Sequence, residues 1–201
     1  MPTIGLTGNF GMGKTTVLEL FKVLGAHTFN IDDFVHTILS EDTTIQKISR
    51  ILGDTVLIKT SSGSSLNKKK VADKIFSDPD KRKTIEGIIH PAVLKEIKAV
   101  RVNILKKDQD ALIVFEVPLL FEAGYGKHFD KTIVVHSKRQ TAINRLKKKG
   151  FSKDDILKRY QSQMPIYKKK DLADFLIENN GDIKVTSGRV KRIFNRLTKD
   201  G

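Results

Sequence analysis

Short apolar runs recur along the chain, separated by longer stretches whose apolar residues return every three or four positions. Ile4-Gly5-Leu6-Thr7 is too short for a helix and leads through a glycine-rich segment into Val17, Leu18, Leu20 and Phe21, which carry the spacing of an amphipathic helix. Gly25 closes that helix, and Ala26 to Asn30 reads as a second short strand running up to Asp32-Asp33. From Phe34 to Leu105 the periodicity is mostly helical, broken by the polar stretch Thr60-Ser61-Ser62-Gly63-Ser64-Ser65, which reads as one loop. Ala111 to Val117 is continuously apolar apart from Glu116, the pattern of a strand buried on both faces of a parallel sheet, and Lys131 to Val135 is another. Lys138 to Lys149 is helical and basic. Ser152 then stands as an N-cap with Asp154 and Asp155 in the first turn of a helix reaching Gln163, stopped by Pro165. Ala173 to Ile177 is a last strand, Asn179-Asn180-Gly181 a turn, and Ile183 to Leu197 a closing helix.

Strands alternating with helices predict an α/β fold with a parallel sheet. The core is expected at about 1–32, 108–138 and 171–201, with a helical insertion at 33–107 and a basic lid-like region at 139–170. All 201 residues form one unit in this reading.

The segment between the first strand and the first helix, Gly8-Asn9-Phe10-Gly11-Met12-Gly13-Lys14-Thr15, has the pattern G-x-x-x-x-G-K-[ST]. Backbone N–H groups of such a loop converge on phosphate oxygens, the lysine reaches the outer phosphates, and the threonine hydroxyl can ligate magnesium. A nucleoside triphosphate is therefore the expected ligand. Asn9 stands where a positive φ is expected, which asparagine tolerates.

Composition narrows the partners. The chain has 37 Lys and Arg against 23 Asp and Glu, a formal charge of +14, and no cysteine. Disulfides and thiolate metal sites are excluded, no apolar run reaches the length of a membrane span, and the chain reads as soluble and cytoplasmic. The basic runs Lys68–Lys70, Lys106-Lys107, Lys147–Lys149 and Lys168–Lys170 are dispersed, with few aromatics between them, and read as solvated helix faces. No nucleic-acid partner is expected, although a nucleic-acid-binding ATPase is the alternative the charge raises. A monomer is the default expectation. No Asn-Lys-x-Asp guanine-reading motif is present, and the chain is short for a motor. A kinase layout needs an acceptor pocket, a carboxylate to orient the acceptor hydroxyl, and mobile cations, which the insertion, Asp32 and the segment 138–170 can supply.

Beyond the glycine loop, Asn30-Ile31-Asp32, Ile88-Ile89-His90-Pro91, Pro118-Leu119-Leu120-Phe121-Glu122, Arg159-Tyr160-Gln161-Ser162-Gln163 and Ala173 to Gly181 follow one another in an order and spacing that resemble the dephospho-CoA kinases. The resemblance implies a P-loop, adenylate-kinase-like, parallel five-stranded sheet, and ATP-dependent phosphorylation of the ribose 3′-hydroxyl of dephospho-CoA with magnesium. It places Gly11, Met12, Gly13, Lys14, Thr15 and Thr16 on the ATP phosphates, with Thr15 as metal ligand. Asp32 becomes the acceptor-orienting carboxylate; by its position alone it could equally cap the helix that follows. Arg145 and Arg159 become phosphate-reaching lid residues, and Asn179 lies near the adenine. His36, His90 and Pro118 to Glu122 line the acceptor site, although Leu119 and Leu120 also suit a core. Lys14, Asp32 and Arg145 are the catalytic set. Glu116 stands where a carboxylate could hold the metal through water, or could be a solvated strand end. Asn30, His36, Lys68 and Lys149 depart from the family pattern, which has an acid at the first of these positions, a basic residue at the second where His36 is largely neutral, and arginines at 68 and 149 where lysine gives only a point charge. A kinase for another nucleotide or small alcohol remains the second enzymatic reading.

Overall fold

The structure, a computed structural model, describes residues 2–60 and 63–199. It divides into two compact units, Met1–Asn30 with Asn103–Gly201, and Ile31–Val102. In chain order the first unit opens with β1 (Thr3–Thr7), α1 (Lys14–Val23) and β2 (His27–Asn30). Helix α1 ends in a Schellman turn: Gly25 N–H bonds to Lys22 O at 3.0 Å and Ala26 N–H to Phe21 O at 3.1 Å, which turns the chain into β2.

The second unit follows, with α2 (Ile31–Ile38), α3 (Asp42–Leu52), β3 (Leu57–Thr60), β4 (Gly63–Leu66), α4 (Lys68–Ser77) and α5 (Pro79–Leu105). Its core is Ile48, Leu52, Val56 and Ile85, with Leu66 and Ile88 among the residues packed on it. Here the structure corrects the expectation of a purely helical segment broken by one loop. Residues Leu57 to Thr60 and Gly63 to Leu66 pair antiparallel, Leu57 opposite Leu66 and Thr60 opposite Gly63. Ser64 and Ser65 are exposed, so pairing through the backbone left no apolar alternation to read. Ser61 and Ser62 of the expected loop lie outside the described residues. Asn67 caps α4, its side chain accepting the Lys70 N–H at 3.1 Å. Pro91 sits inside α5, where it withholds the N–H that would bond to the Gly87 carbonyl.

The chain returns to the first unit with β5 (Ile113–Glu116), β6 (Lys131–His136), α6 (Arg139–Lys148), α7 (Lys153–Gln161), α8 (Ile166–Asp171), β7 (Phe175–Glu178) and α9 (Ile183–Lys199). The five strands pair in the order β2-β5-β1-β6-β7, all parallel. Every residue of β1 and β5 is buried, as expected of strands covered on both faces. Val17, Leu18 and Phe21 of α1 and Val190 and Leu197 of α9 close over Ile4, Leu6, Val114 and Ile133. Each such side chain removed from water contributes roughly 1.5–3 kcal/mol before ordering costs. Short helix α8, past Pro165, has no counterpart in the sequence reading.

Candidate active site

The first unit assembles the loop from three sides. Central strand β1 delivers the chain to Gly8 and α1 carries it away from Gly13. No side chain caps α1 and no acid sits in its first turn, so the positive end of the helix dipole is left for an anionic ligand. Gly13 has φ +86, and a Cβ there would run into the Asn179 amide; Gly11 has φ +79, and a Cβ there would stand 2.8 Å from the Ala142 carbonyl and from Leu146 of α6. Both positions therefore require glycine. The expected positive φ at Asn9 is not found, since no described residue other than glycine has one. Asn9 is instead buried, its amide donating to Met164 O at 3.1 Å, which a side chain turned in toward the protein can do and a solvent-facing loop tip cannot.

Thr15 and Glu116 meet at the loop. The Thr15 hydroxyl donates to Glu116, 3.1 Å from Oε2, and Glu116 is buried at the last position of β5, so it is not a solvated strand end. One hydroxyl beside one carboxylate is an oxygen set suited to a magnesium ion that keeps waters and phosphate oxygens as its other ligands. Among the described residues no cluster of three or more His, Cys, Asp or Glu could hold a metal by itself. Thr16 is exposed in the first turn of α1, and Lys14 is half-buried.

Arg145 of α6 turns toward the loop, its Nη1 lying 3.6 Å from where a Gly13 Cβ would stand, and that nitrogen is buried without a hydrogen-bond partner. Such a guanidinium has a donor to spare for an anion. Asn179 is nearly fully buried and braces the loop: its Nδ2 donates to Met12 O at 3.0 Å while its Oδ1 accepts the Thr186 hydroxyl at 3.1 Å. Met12 is buried as well. Arg159 is exposed and stacks over the Phe10 ring at 4.6 Å, with Phe10 edge-on to Phe151 at 5.0 Å.

The turn after β5 divides its residues. Leu120 is fully buried and belongs to the core, so it does not line an acceptor pocket, while Leu119 is 41% exposed. Pro118 and Phe121 are half-buried. Glu122 is bonded within the protein, to Lys169 Nζ at 2.9 Å and to Met164 N–H at 2.9 Å. In the second unit, Asp32 is an exposed residue in the first turn of α2, His36 is exposed in its last turn, and His90 is half-buried in α5.

Several loop partners had no assigned role in the sequence. Gln163 Oε1 accepts Phe10 N–H at 2.9 Å, and the Tyr160 hydroxyl donates to Phe10 O at 3.0 Å. Burial pushes the Tyr160 phenol upward, partly offset by Arg139, so it keeps the proton it donates. Lys169 belongs to a basic run whose sequence reads as a solvated helix face, and it is fully buried. Gln163 lay inside a motif that carried the resemblance; nothing in the basic run singled out Lys169.

A glycine loop between central strand and helix, a hydroxyl on a buried strand-end carboxylate and an arginine turned to the loop define a P-loop kinase. The sequence model of dephospho-CoA kinase matches residues 2–185, and the chain belongs to that family. It is 35% identical to the dephospho-CoA kinase of Aquifex aeolicus over 201 residues, the whole of both chains, and 36% identical to that of Syntrophotalea carbinolica over 98% of this chain and 92% of the relative. The solved dephospho-CoA kinase of Campylobacter jejuni shares the fold with a TM-score of 0.72 at 25% identity, over 98% of each chain. Among the described residues no helix is long and apolar enough to cross a membrane.

Proposed function

We propose that the chain transfers the γ-phosphoryl group of ATP to the ribose 3′-hydroxyl of dephospho-CoA, giving coenzyme A and ADP, in the cytoplasm. The observation that carries this is the extent of the family match, residues 2–185, over a chain whose glycine loop is complete. The bond from γ-phosphorus to the bridging oxygen breaks, a bond to the 3′-oxygen forms, and the hydroxyl proton leaves. Lys14 and the α1 dipole hold the phosphates, and Arg145 supplies a positive charge where negative charge is carried in the transition state. Thr15 and Glu116 would hold magnesium, which would supply positive charge beside the transferred phosphoryl group. Asp32 orients the acceptor hydroxyl and takes its proton; because phosphoryl transfer is loose, alignment is the larger part of that work. On the acceptor side we assign His36 and His90 in the second unit and Pro118, Leu119, Phe121 and Glu122 in the first, with residues 33–107 as the acceptor-binding insertion and 139–170 as the lid. Asn179, Met12, Gly11, Gly13, Thr16 and Arg159 serve the nucleotide side, Asn179 by holding Met12.

The test is magnesium-dependent ADP release with dephospho-CoA, AMP, CMP, adenosine or single-stranded DNA added in turn. Release with dephospho-CoA alone, and a product heavier by one phosphate at the 3′ position, is the expected outcome. Stimulation by another acceptor, or by DNA with a steep salt dependence, would replace this reading. Lys14→Ala and Asp32→Asn are each expected to lower kcat by about 100-fold or more with the fold intact by circular dichroism. A folded Asp32→Asn variant with near-normal turnover removes Asp32 from the chemistry.

A further inference from the structure

Lys169 is the middle residue of the run Lys168–Lys170 on α8, and its side chain is 0% exposed. Its ammonium lies 2.9 Å from Glu122 Oε1 and donates to the Pro118 carbonyl at 3.2 Å. It thus holds both ends of the turn that follows β5. Each acceptor is shared: the same Glu122 oxygen takes the Met164 N–H at 2.9 Å, and the same Pro118 carbonyl takes the Thr7 hydroxyl at 3.2 Å. Glu122 Oε2 is buried without a partner. Burial pulls the Lys169 pKa down against the opposing pull of Glu122, so the pair carries a real desolvation cost.

A buried ion pair is a poor way to gain stability, because apolar side chains of similar volume usually do as well or better. What such a pair does impose is geometry. Residues 163 and 164 extend it toward the phosphate loop, since Met164 O accepts the Asn9 amide and Gln163 accepts Phe10 N–H. A continuous set of hydrogen bonds therefore runs from Lys169 through Glu122 and Met164 to Asn9, one residue past the first glycine of the loop.

We propose that Lys169 is a positioning residue for the transfer reaction: by bridging the Pro118 carbonyl and the Glu122 carboxylate it sets the shape of the turn that receives the acceptor and ties that turn to the phosphate loop. The inference rests on the reading of Pro118, Leu119, Phe121 and Glu122 as acceptor-lining. Lys169 is fully enclosed, with its ammonium on Glu122 and the Pro118 carbonyl, so its effect is transmitted through those two residues.

The test compares the wild type, Lys169→Met, and the double variant Lys169→Met/Glu122→Leu, which replaces the pair by apolar groups, using initial rates against dephospho-CoA and ATP and thermal unfolding of the full chain. Lys169→Met is expected to raise the KM for dephospho-CoA about tenfold or more, and the KM for ATP by no more than about threefold. Because Glu122 is itself assigned to the acceptor, Glu122→Leu alone is measured as well: in the double variant Tm should return to within about 3 °C of wild type while the acceptor KM stays raised to about the level of Glu122→Leu, Lys169→Met adding less than about twofold in that background, a coupling that a purely structural role would not produce. Recovery of both Tm and acceptor KM in the double variant overturns the proposal. So does a double variant that fails to fold, because the pair would then be required by the fold and not by the turn. A wild type inactive on dephospho-CoA defeats the functional reading itself, whereas an active wild type with unchanged acceptor KM in the double variant defeats only the role of Lys169.

Discussion

Asp174 sits at the start of the last strand and accepts from the N–H of Thr132 at 2.8 Å, from its hydroxyl at 2.9 Å, and from Lys131 at 3.3 Å. Burial works against its ionisation, but the Thr132 bonds and the Lys131 ammonium outweigh it and hold the carboxyl below its ordinary value of 3.8. A carboxylate with a depressed folded pKa contributes stability above the unfolded value and loses it as pH falls through the folded one. Asp174→Asn should therefore lower stability at neutral pH, by about 0.5 kcal/mol once solvent screening of this part-exposed carboxylate is discounted, with the gap between variant and wild type narrowing below pH 3.8. Urea midpoints of both proteins across that range check it, and a gap independent of pH would exclude the carboxylate as its source. Single residues were legible where a motif fixed their place: Lys14 and Thr15 follow from the spacing of Gly8 and Gly13, whatever surrounds them. Lys169 was not, because in a helix only one of three consecutive lysines turns to the sheet, and its partner Glu122 lies 47 positions away in a different element.

Among elements, the contact that matters most to the nucleotide side is that of α7 and the turn after it with the glycine loop. Gln163 gives Phe10 N–H its acceptor and Tyr160 gives Phe10 O its donor, so the loop backbone is held on both sides of one residue. Gln163→Leu leaves the Phe10 N–H without that acceptor, and the KM for ATP is expected to rise about tenfold while the circular dichroism spectrum stays unchanged. An unchanged KM would mean that the loop holds its shape without this bond. The buried strands β1, β5 and β6 were readable from short apolar runs, and α1 and α9 from their periodicity. The pair β3 and β4 was hidden, since serines on two exposed faces give neither alternation nor apolarity, and its partner strand supplies what the sequence lacks.

At the scale of the whole molecule, the net charge of +14 and the two anionic substrates of the proposed reaction belong together. Dispersed surface lysines make a field that draws anions in and that salt screens within a Debye length of about 8–10 Å at ordinary ionic strength. The kcat/KM for ATP and for dephospho-CoA should fall severalfold between about 20 and 300 mM salt, with kcat changing less than about twofold. A salt-independent kcat/KM would confine the charge to solubility. The order of strands was not legible at all, because β1 pairs with β5 and β6 across more than a hundred residues and no local pattern records such pairing. That order has one more consequence. Strands β2 and β5 are parallel neighbours, and everything from Ile31 to Val102 is strung between them, in the place where a simpler sheet would use one crossover helix. Each doubling of such a connection costs only about 0.6 kcal/mol of closure entropy, so its content is nearly free to change while its two ends stay fixed. On the proposed reading Asp32, His36 and His90 lie in that stretch, so the share of acceptor recognition written between Asn30 and Asn103 could be exchanged like a cassette, while the turn after β5 and the loop that handles ATP stay as they are.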